Sequence, residues 1–65
     1  MTTEQWLETK LQQYKQNPQQ TLEEILLSTT EIIDQYNPKN IESVYLLESC
    51  LEHNKLFLIK SGILL

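Results

Sequence analysis

Residues 40–62 read NIESVYLLESCLEHNKLFLIKSG, and this stretch decides the fold. Its apolar residues recur at the three- and four-residue spacing of an α-helix, and strand-like alternation is scarce. They form two neighbouring rows, with Ile41, Val44, Leu47 and Leu51 in one and Leu46, Cys50 and Phe57 in the other. An apolar face of this width is typical of a well-buried helix. We therefore expect an all-α protein in which this helix supplies most of the core.

The C-terminal end of this helix has two candidate positions. The helix could break at His53-Asn54, because Asn is tolerated in the left-handed conformation that closes helices. Alternatively it continues to Ser61, and Gly62, the single glycine of the chain, closes it while Ile63 folds back on the last turn. We favour the continuous helix, and a short terminal strand over residues 56–59 is the minor alternative.

Two Asn-Pro dipeptides, at residues 17–18 and 37–38, divide the chain into three segments. A residue that precedes proline is disfavoured in the α conformation, so each dipeptide predicts a helix boundary. Either the second dipeptide caps the third helix, or Asn40 caps a helix that starts at Ile41. We predict one domain, residues 1–65, that folds as a small three-helix bundle, with a short fourth C-terminal helix as an alternative.

The first segment predicts an amphipathic helix over about residues 3–16. Thr2 or Thr3 can cap this helix, and Glu4 in its first turn interacts favourably with the helix dipole. The apolar face is formed by Trp6, Leu7, Leu11 and Tyr14. Trp6 is an interface anchor in many proteins, but in a small bundle we expect it in the core.

The second helix is predicted to run from Thr21 to about Tyr36. Thr21-Leu22-Glu23-Glu24 fits a capping box, in which the Thr21 and Glu24 side chains bond to each other's backbone N–H groups. The residues at alternating spacings of four and three form a seam for helix packing, flanked by Ile25 and Ile32. The seam consists of Leu22, Leu26, Thr29, Ile33 and Tyr36. Leu27 lies off this seam and is predicted to be exposed.

The charge composition argues against nucleic-acid binding. The chain has nine acidic residues, five lysines and no arginine, for a net charge of −4. Phosphate contacts need Lys or Arg, so direct binding to DNA or RNA is not expected. A helix-turn-helix regulator would require Lys39, Lys55 and Lys60 to gather on one face. The acidity instead suits a protein partner with a basic surface.

The size of the chain favours completion of the core by a partner. Small domains bury a small share of their surface, and many are stabilised by a disulfide, a metal or another subunit. Cys50 is the single cysteine, which excludes a disulfide within the chain. Cys50 and His53 lack the further ligands of a zinc site and the third group of a catalytic pair. We expect no metal, cofactor, catalytic residue or small-molecule substrate, and we expect dimerisation.

The location predicted from the sequence is the cytoplasm. The N-terminus is polar and acidic, unlike a signal peptide. The longest unbroken apolar run is Leu56–Ile59, far shorter than the roughly 20 residues of a membrane span. A single free thiol fits a reducing compartment. The frequent Gln, Asn, Lys and Ile, without Arg or Ala, are typical of an AT-rich bacterial or phage genome.

The C-terminal stretch Lys55–Leu65 is the main functional candidate. Seven of its eleven residues are large and apolar, and none is acidic. Residues 56–59 point in every direction on one helix, so a three-helix monomer cannot bury all of them. Exposed apolar patches of this kind mark interfaces, although a tail that folds back to complete the core is an equal alternative. The predicted interface consists of Leu27, Leu56, Phe57, Ile59, Ile63, Leu64 and Leu65.

These patterns favour contact with another protein over catalysis. The leading hypothesis is a small acidic protein-binding module of the adaptor or inhibitor type, which modulates a larger partner and is not an enzyme. The first alternative is a structural homo-oligomer or assembly subunit. The second is the helix-turn-helix nucleic-acid-binding regulator.

Overall fold

The computed structural model describes residues 2–64, which form a bundle of three α-helices. Helix α1 spans Thr3–Gln16, α2 spans Pro18–Asp34 and α3 spans Ile41–Lys60. Each helix packs against both others, and the molecule measures 39 × 24 × 20 Å. The prediction of an all-α bundle is confirmed, and residues 2–64 contain no β-strand.

Asn17 both ends α1 and begins α2. Its backbone N–H donates to the carbonyl of Gln13 at 2.8 Å, and its side-chain oxygen accepts from the N–H of Gln20 at 3.2 Å. Pro18 takes the first position of α2, where an N–H would have no partner within the helix. The chain therefore passes between two helices through a single residue.

The start of α2 lies three residues before the predicted start at Thr21. Thr21 is inside the helix and 2% exposed, and its hydroxyl donates to the carbonyl of Asn17 at 2.9 Å. The capping-box prediction was wrong, because Asn17 with Pro18 provides an earlier helix start of the same quality. The helix ends at Asp34, before the predicted end at Tyr36.

Helix α3 is continuous, as the favoured prediction had it. Asn40 caps its N-terminus, where the Asn40 side-chain oxygen accepts from the N–H of Glu42 at 3.0 Å. The helix passes through His53-Asn54 without a break. Both prolines therefore precede or begin a helix, and neither interrupts one.

The C-terminal end of α3 is closed by Gly62. This residue has a φ of 86°, in the left-handed region that glycine adopts without steric cost. The chain folds back over the last turn, where the N–H of Leu64 donates to the carbonyl of Leu58 at 2.9 Å. Residues 61–64 form a turn and a bend, and the alternative of a fourth helix is not seen in this stretch.

The core of the bundle is thin. Phe57 is 0% exposed, and no other apolar side chain in residues 2–64 is fully buried. The ring of Tyr14 meets the Phe57 ring edge-on, with centroids 5.6 Å apart. Most other inward-facing side chains are half-buried, so the monomer covers little apolar surface.

Polar side chains also connect the helices. The Asn54 amide donates to the Thr29 hydroxyl at 2.7 Å and joins α3 to α2. The Nε2 atom of His53 lies 3.0 Å from the Thr3 hydroxyl, and the His53 ring stacks on Trp6 with centroids 5.2 Å apart. These contacts fix how α3 is turned toward each of its neighbours.

Candidate protein-interaction surface

Helix α2 packs into the bundle with a different face from the predicted seam. The inward residues are Thr21, Ile25, Thr29 and Ile32, which are buried or half-buried. The leucines and isoleucine of the predicted seam are exposed, at 38% for Leu22, 67% for Leu26 and 52% for Ile33. The seam was wrong except at Thr29, because the helix is rotated by about one residue, or about 100°.

Two pairs of contacts show which sides of α2 and α3 point away from α1. Helix α3 faces α1 with His53 and faces α2 with Asn54. Helix α2 faces α1 with Glu24, which pairs with a lysine of α1, and faces α3 with Thr29. Side chains advance by about 100° around the helix per residue. Positions further around α3 than Asn54, measured from His53, therefore point away from α1. The same holds for positions further around α2 than Thr29, measured from Glu24.

These positions carry six apolar side chains that we call the α2–α3 apolar face. They are Leu22, Leu26 and Ile33 on α2 and Leu47, Leu51 and Leu58 on α3. Leu26 is 67% exposed and Leu51 is 52% exposed, while Leu47 and Leu58 are half-buried beside them. Apolar side chains gathered on the surface of a monomer are typical of a site that contacts another molecule.

Phe57, a member of the predicted interface, lies inside the bundle and not on its surface. Its position on α3 falls between His53, which faces α1, and Asn54, which faces α2. The Phe57 ring therefore points into the space between all three helices. Phe57 is therefore not part of the exposed surface of the monomer.

The other members of the predicted interface lie on several surfaces. Ile59, Ile63 and Leu64 are exposed at 41%, 48% and 45%, and Leu56 is half-buried. Leu27 is 62% exposed, on a side of α2 about 100° away from Leu26. Leu65 lies outside the described residues. The N–H of Leu64 donates to the carbonyl of Leu58, so the tail passes beside the end of α3 that carries Leu58 of the α2–α3 apolar face.

The three lysines that a helix-turn-helix would need do not share a face. Lys55 and Lys60 are five residues apart on α3 and therefore point about 140° apart. Lys39 precedes α3, whose 20 residues extend over about 30 Å. The structure does not form a basic patch from these side chains.

Cys50 and His53 are held by different partners. The Cys50 thiol is half-buried, 3.7 Å from both the Thr29 hydroxyl and the Asn54 amide. His53 is held instead by Thr3 and Trp6. Within residues 2–64, no three His, Cys, Asp or Glu side chains come together as a metal-binding group.

None of the helices in residues 2–64 has the length and apolarity that crossing a bilayer requires. Comparison of the chain with protein-family models, curated proteins and solved structures finds no match in any of the three.

Proposed function

We propose that this chain is a small acidic protein-binding module that modulates a larger partner through the α2–α3 apolar face. The observation that supports this most is the imbalance between core and surface. One apolar side chain, Phe57, is fully buried among residues 2–64, while Leu26, Ile33 and Leu51 are each more than half exposed on one face. Binding a partner would remove this apolar surface from water, at about 25 cal/mol per Å².

The charges around the face define the kind of partner. By the helical period, Glu23 lies at the outer edge of the face on α2, and Glu48 lies at its outer edge on α3. The chain as a whole carries a net charge of −4. Complementary charge orients a complex and speeds its formation. The partner surface would therefore be apolar at its centre and basic at its rim.

Two adjacent leucines of α2 provide a matched test. Leu26 is 67% exposed on the face, and Leu27 is 62% exposed on another side of the same helix. A glutamate at either position adds the same charge at nearly the same exposure. We expect Leu26→Glu to abolish recovery of a cross-linked partner from the native host, and Leu27→Glu to leave it unchanged.

The same pair of variants can contradict the proposal. Loss of the partner in Leu27→Glu alone would assign binding to the surface that contains Leu27 and not to the α2–α3 apolar face. Equal recovery with all three proteins would place the contact on neither surface. Ile63→Glu extends the test to the tail, because Ile63 is 48% exposed beyond the end of α3.

A homodimer is the second candidate, and the exposed area is large enough for it. A folded monomer of this mass is expected to expose about 4,300 Å². This chain of 7.7 kDa exposes 5155 Å². The excess is close to the roughly 800 Å² that each partner buries in an interface of standard size. Two copies joined through this face would complete a shared core, and a two-fold axis would be the simplest symmetry.

Light scattering separates the two candidates. A homodimer would give about twice the chain mass of 7.7 kDa, and Leu26→Glu would return it to the monomer mass. A monomer at every accessible concentration would remove the homodimer and leave the foreign partner as the proposal. Leu27→Glu again serves as the matched control.

A further inference from the structure

A cavity of about 270 Å³ opens between the first half of α1 and the middle of α2 and α3. We call it the Trp6 cavity, because the single tryptophan of the chain forms part of its wall. An apolar cavity of about 150 Å³ already accommodates a benzene ring. The Trp6 cavity therefore has room for a one-ring molecule with a short side chain.

The wall of the Trp6 cavity has an apolar part and a polar part. Trp6, Ile25 and Ile32 supply apolar surface, while Ser28 and Ser49 supply hydroxyl groups. Mixed lining of this kind is typical of small-molecule sites, in which apolar contacts give affinity and a few polar groups orient the ligand.

Part of the polar wall is already fixed by bonds within the protein. The Asn54 amide donates to the Thr29 hydroxyl at 2.7 Å, and the Cys50 thiol lies 3.7 Å from both groups. His53 is held by its stacking on Trp6. These side chains are therefore already ordered before a ligand binds, which lowers the entropy cost of fixing them on binding.

The charge of the lining selects the ligand class. None of the nine acidic residues of the chain lines the Trp6 cavity, and Lys10 does. The Lys10 ammonium donates to the Gln13 side-chain oxygen at 3.3 Å and lies 3.9 Å from the Glu24 carboxylate, and neither of these partners lines the cavity. Both contacts are long, and the Glu24 carboxylate is 49% exposed, so a carboxylate bound in the cavity can compete for Lys10 by turning its ammonium inward.

We propose that the Trp6 cavity binds a small aromatic monocarboxylate, with its ring against Trp6 and its carboxylate at Lys10. This site is independent of the α2–α3 apolar face and would give the module a ligand-dependent state. It also differs from the expectation, drawn from the sequence, that the chain has no small-molecule ligand. Three short helices make room for a ligand here because the inward side chains of α2 are small or β-branched.

The test uses three probes of one shape, namely phenylacetate, 2-phenylethanol and 2-phenylethylamine, which are anionic, neutral and cationic. Trp6 emission reports on the wall directly, since the full-length chain has one tryptophan. Fragments of about ten heavy atoms bind with a Kd of roughly 0.1–10 mM. We expect saturable binding of phenylacetate, at least tenfold weaker binding of the alcohol, and no binding of the amine.

Two lysines of α1 provide the matched variants. Lys10 lines the cavity, and Lys15 is an exposed residue of the last turn that does not. Lys10→Gln should reduce phenylacetate affinity to that of the alcohol, and Lys15→Gln, with the same change in net charge, should not. Ser49→Met should weaken the binding of phenylacetate and of the alcohol by filling the cavity.

The rate of Cys50 alkylation is the second readout, because Cys50 lines the same cavity and is the only thiol. Phenylacetate should slow this reaction in the wild-type protein and in Lys15→Gln. If phenylacetate shows no saturable binding up to about 20 mM, the site is overturned. Equal binding of the three probes, or equal effects of the two lysine variants, would overturn the assignment of the carboxylate to Lys10.

Discussion

The side-chain amide of Asn54 donates a 2.7 Å hydrogen bond to the hydroxyl of Thr29, and the Thr29 hydroxyl donates in turn to the carbonyl of Ile25 at 2.7 Å. These two consecutive hydrogen bonds connect α3 to α2 inside the bundle, where apolar packing alone is the usual connection. In a protein with so thin a core, such a tie is a large share of the total stability.

Thr29→Val tests this connection between the helices, because it keeps the side-chain volume and removes the hydroxyl that accepts from the Asn54 amide. We expect the free energy of unfolding to fall by about 1–2 kcal/mol, since the half-buried amide would lose its partner. Urea denaturation followed by circular dichroism, at one fixed protein concentration, measures the change.

Thr30→Val is the matched control for this substitution. The Thr30 hydroxyl makes the same kind of bond, to the carbonyl of Leu26 at 2.9 Å, on the exposed side of α2. We expect a change within about 0.5 kcal/mol. Equal effects of the two valines would show that the bond between the helices adds nothing.

Phe57→Leu should destabilise the protein by at least about 1 kcal/mol, because it shortens the one apolar side chain that is fully buried among residues 2–64 and removes the edge-on contact with Tyr14. Phe57→Ala should cost about 3–5 kcal/mol. The total stability of a chain this long is about 3–10 kcal/mol, so the alanine variant is expected to lose a third or more of it. Thermal unfolding of both variants measures this, and a Phe57→Ala protein as stable as the wild type would contradict the position of Phe57 at the centre of the core.

Gly62→Ala should lower the free energy of unfolding by about 1 kcal/mol, because the φ of 86° is unfavourable for an L-residue. A Cβ at Gly62 would meet nothing within 4 Å, so the cost comes from the backbone and not from a clash. A chain of 65 residues can be made by chemical synthesis, which permits a D-alanine at this position. The D-alanine protein should be at least as stable as the wild type, and equal loss with both alanines would exclude the left-handed conformation.

The rotation of α2 was beyond the reach of the sequence pattern. Thr21, Ile25 and Ile32 form a row with the same helical spacing as Leu22, Leu26 and Ile33, one residue earlier. Apolar content favoured the second row, but only the packing of α2 against the other two helices decides which row faces inward. The signal in the sequence was the pair Ile25 and Ile32, which lies directly beside the predicted seam.

The ends of the helices were more predictable than their faces, because caps are local. Gly62 was the favoured end of α3 and Asn40 was one of two candidate starts, and both residues close their helix ends, whereas the predicted start of α2 at Thr21 was wrong. The Trp6 cavity was not predicted, because it depends on side chains from three helices that no spacing along the chain brings together. The α2–α3 apolar face was missed for the same reason, because it combines side chains of two helices.

The start of α2 offers the sharpest test of a local prediction, since two alternative caps lie four residues apart. If Asn17 is the cap, Asn17→Ala should lower the free energy of unfolding by about 1 kcal/mol, because the N–H of Gln20 loses its acceptor. Thr21→Val should then be close to neutral, since the Asn17 carbonyl keeps its bond from the Thr21 N–H at 3.1 Å and a methyl group suits the buried site. A capping box at Thr21 requires the reverse order, with a loss of about 1 kcal/mol in Thr21→Val and little change in Asn17→Ala. Urea denaturation measures the loss of unfolding free energy in each variant. A larger loss in Asn17→Ala than in Thr21→Val identifies Asn17 as the cap, and the opposite order identifies Thr21.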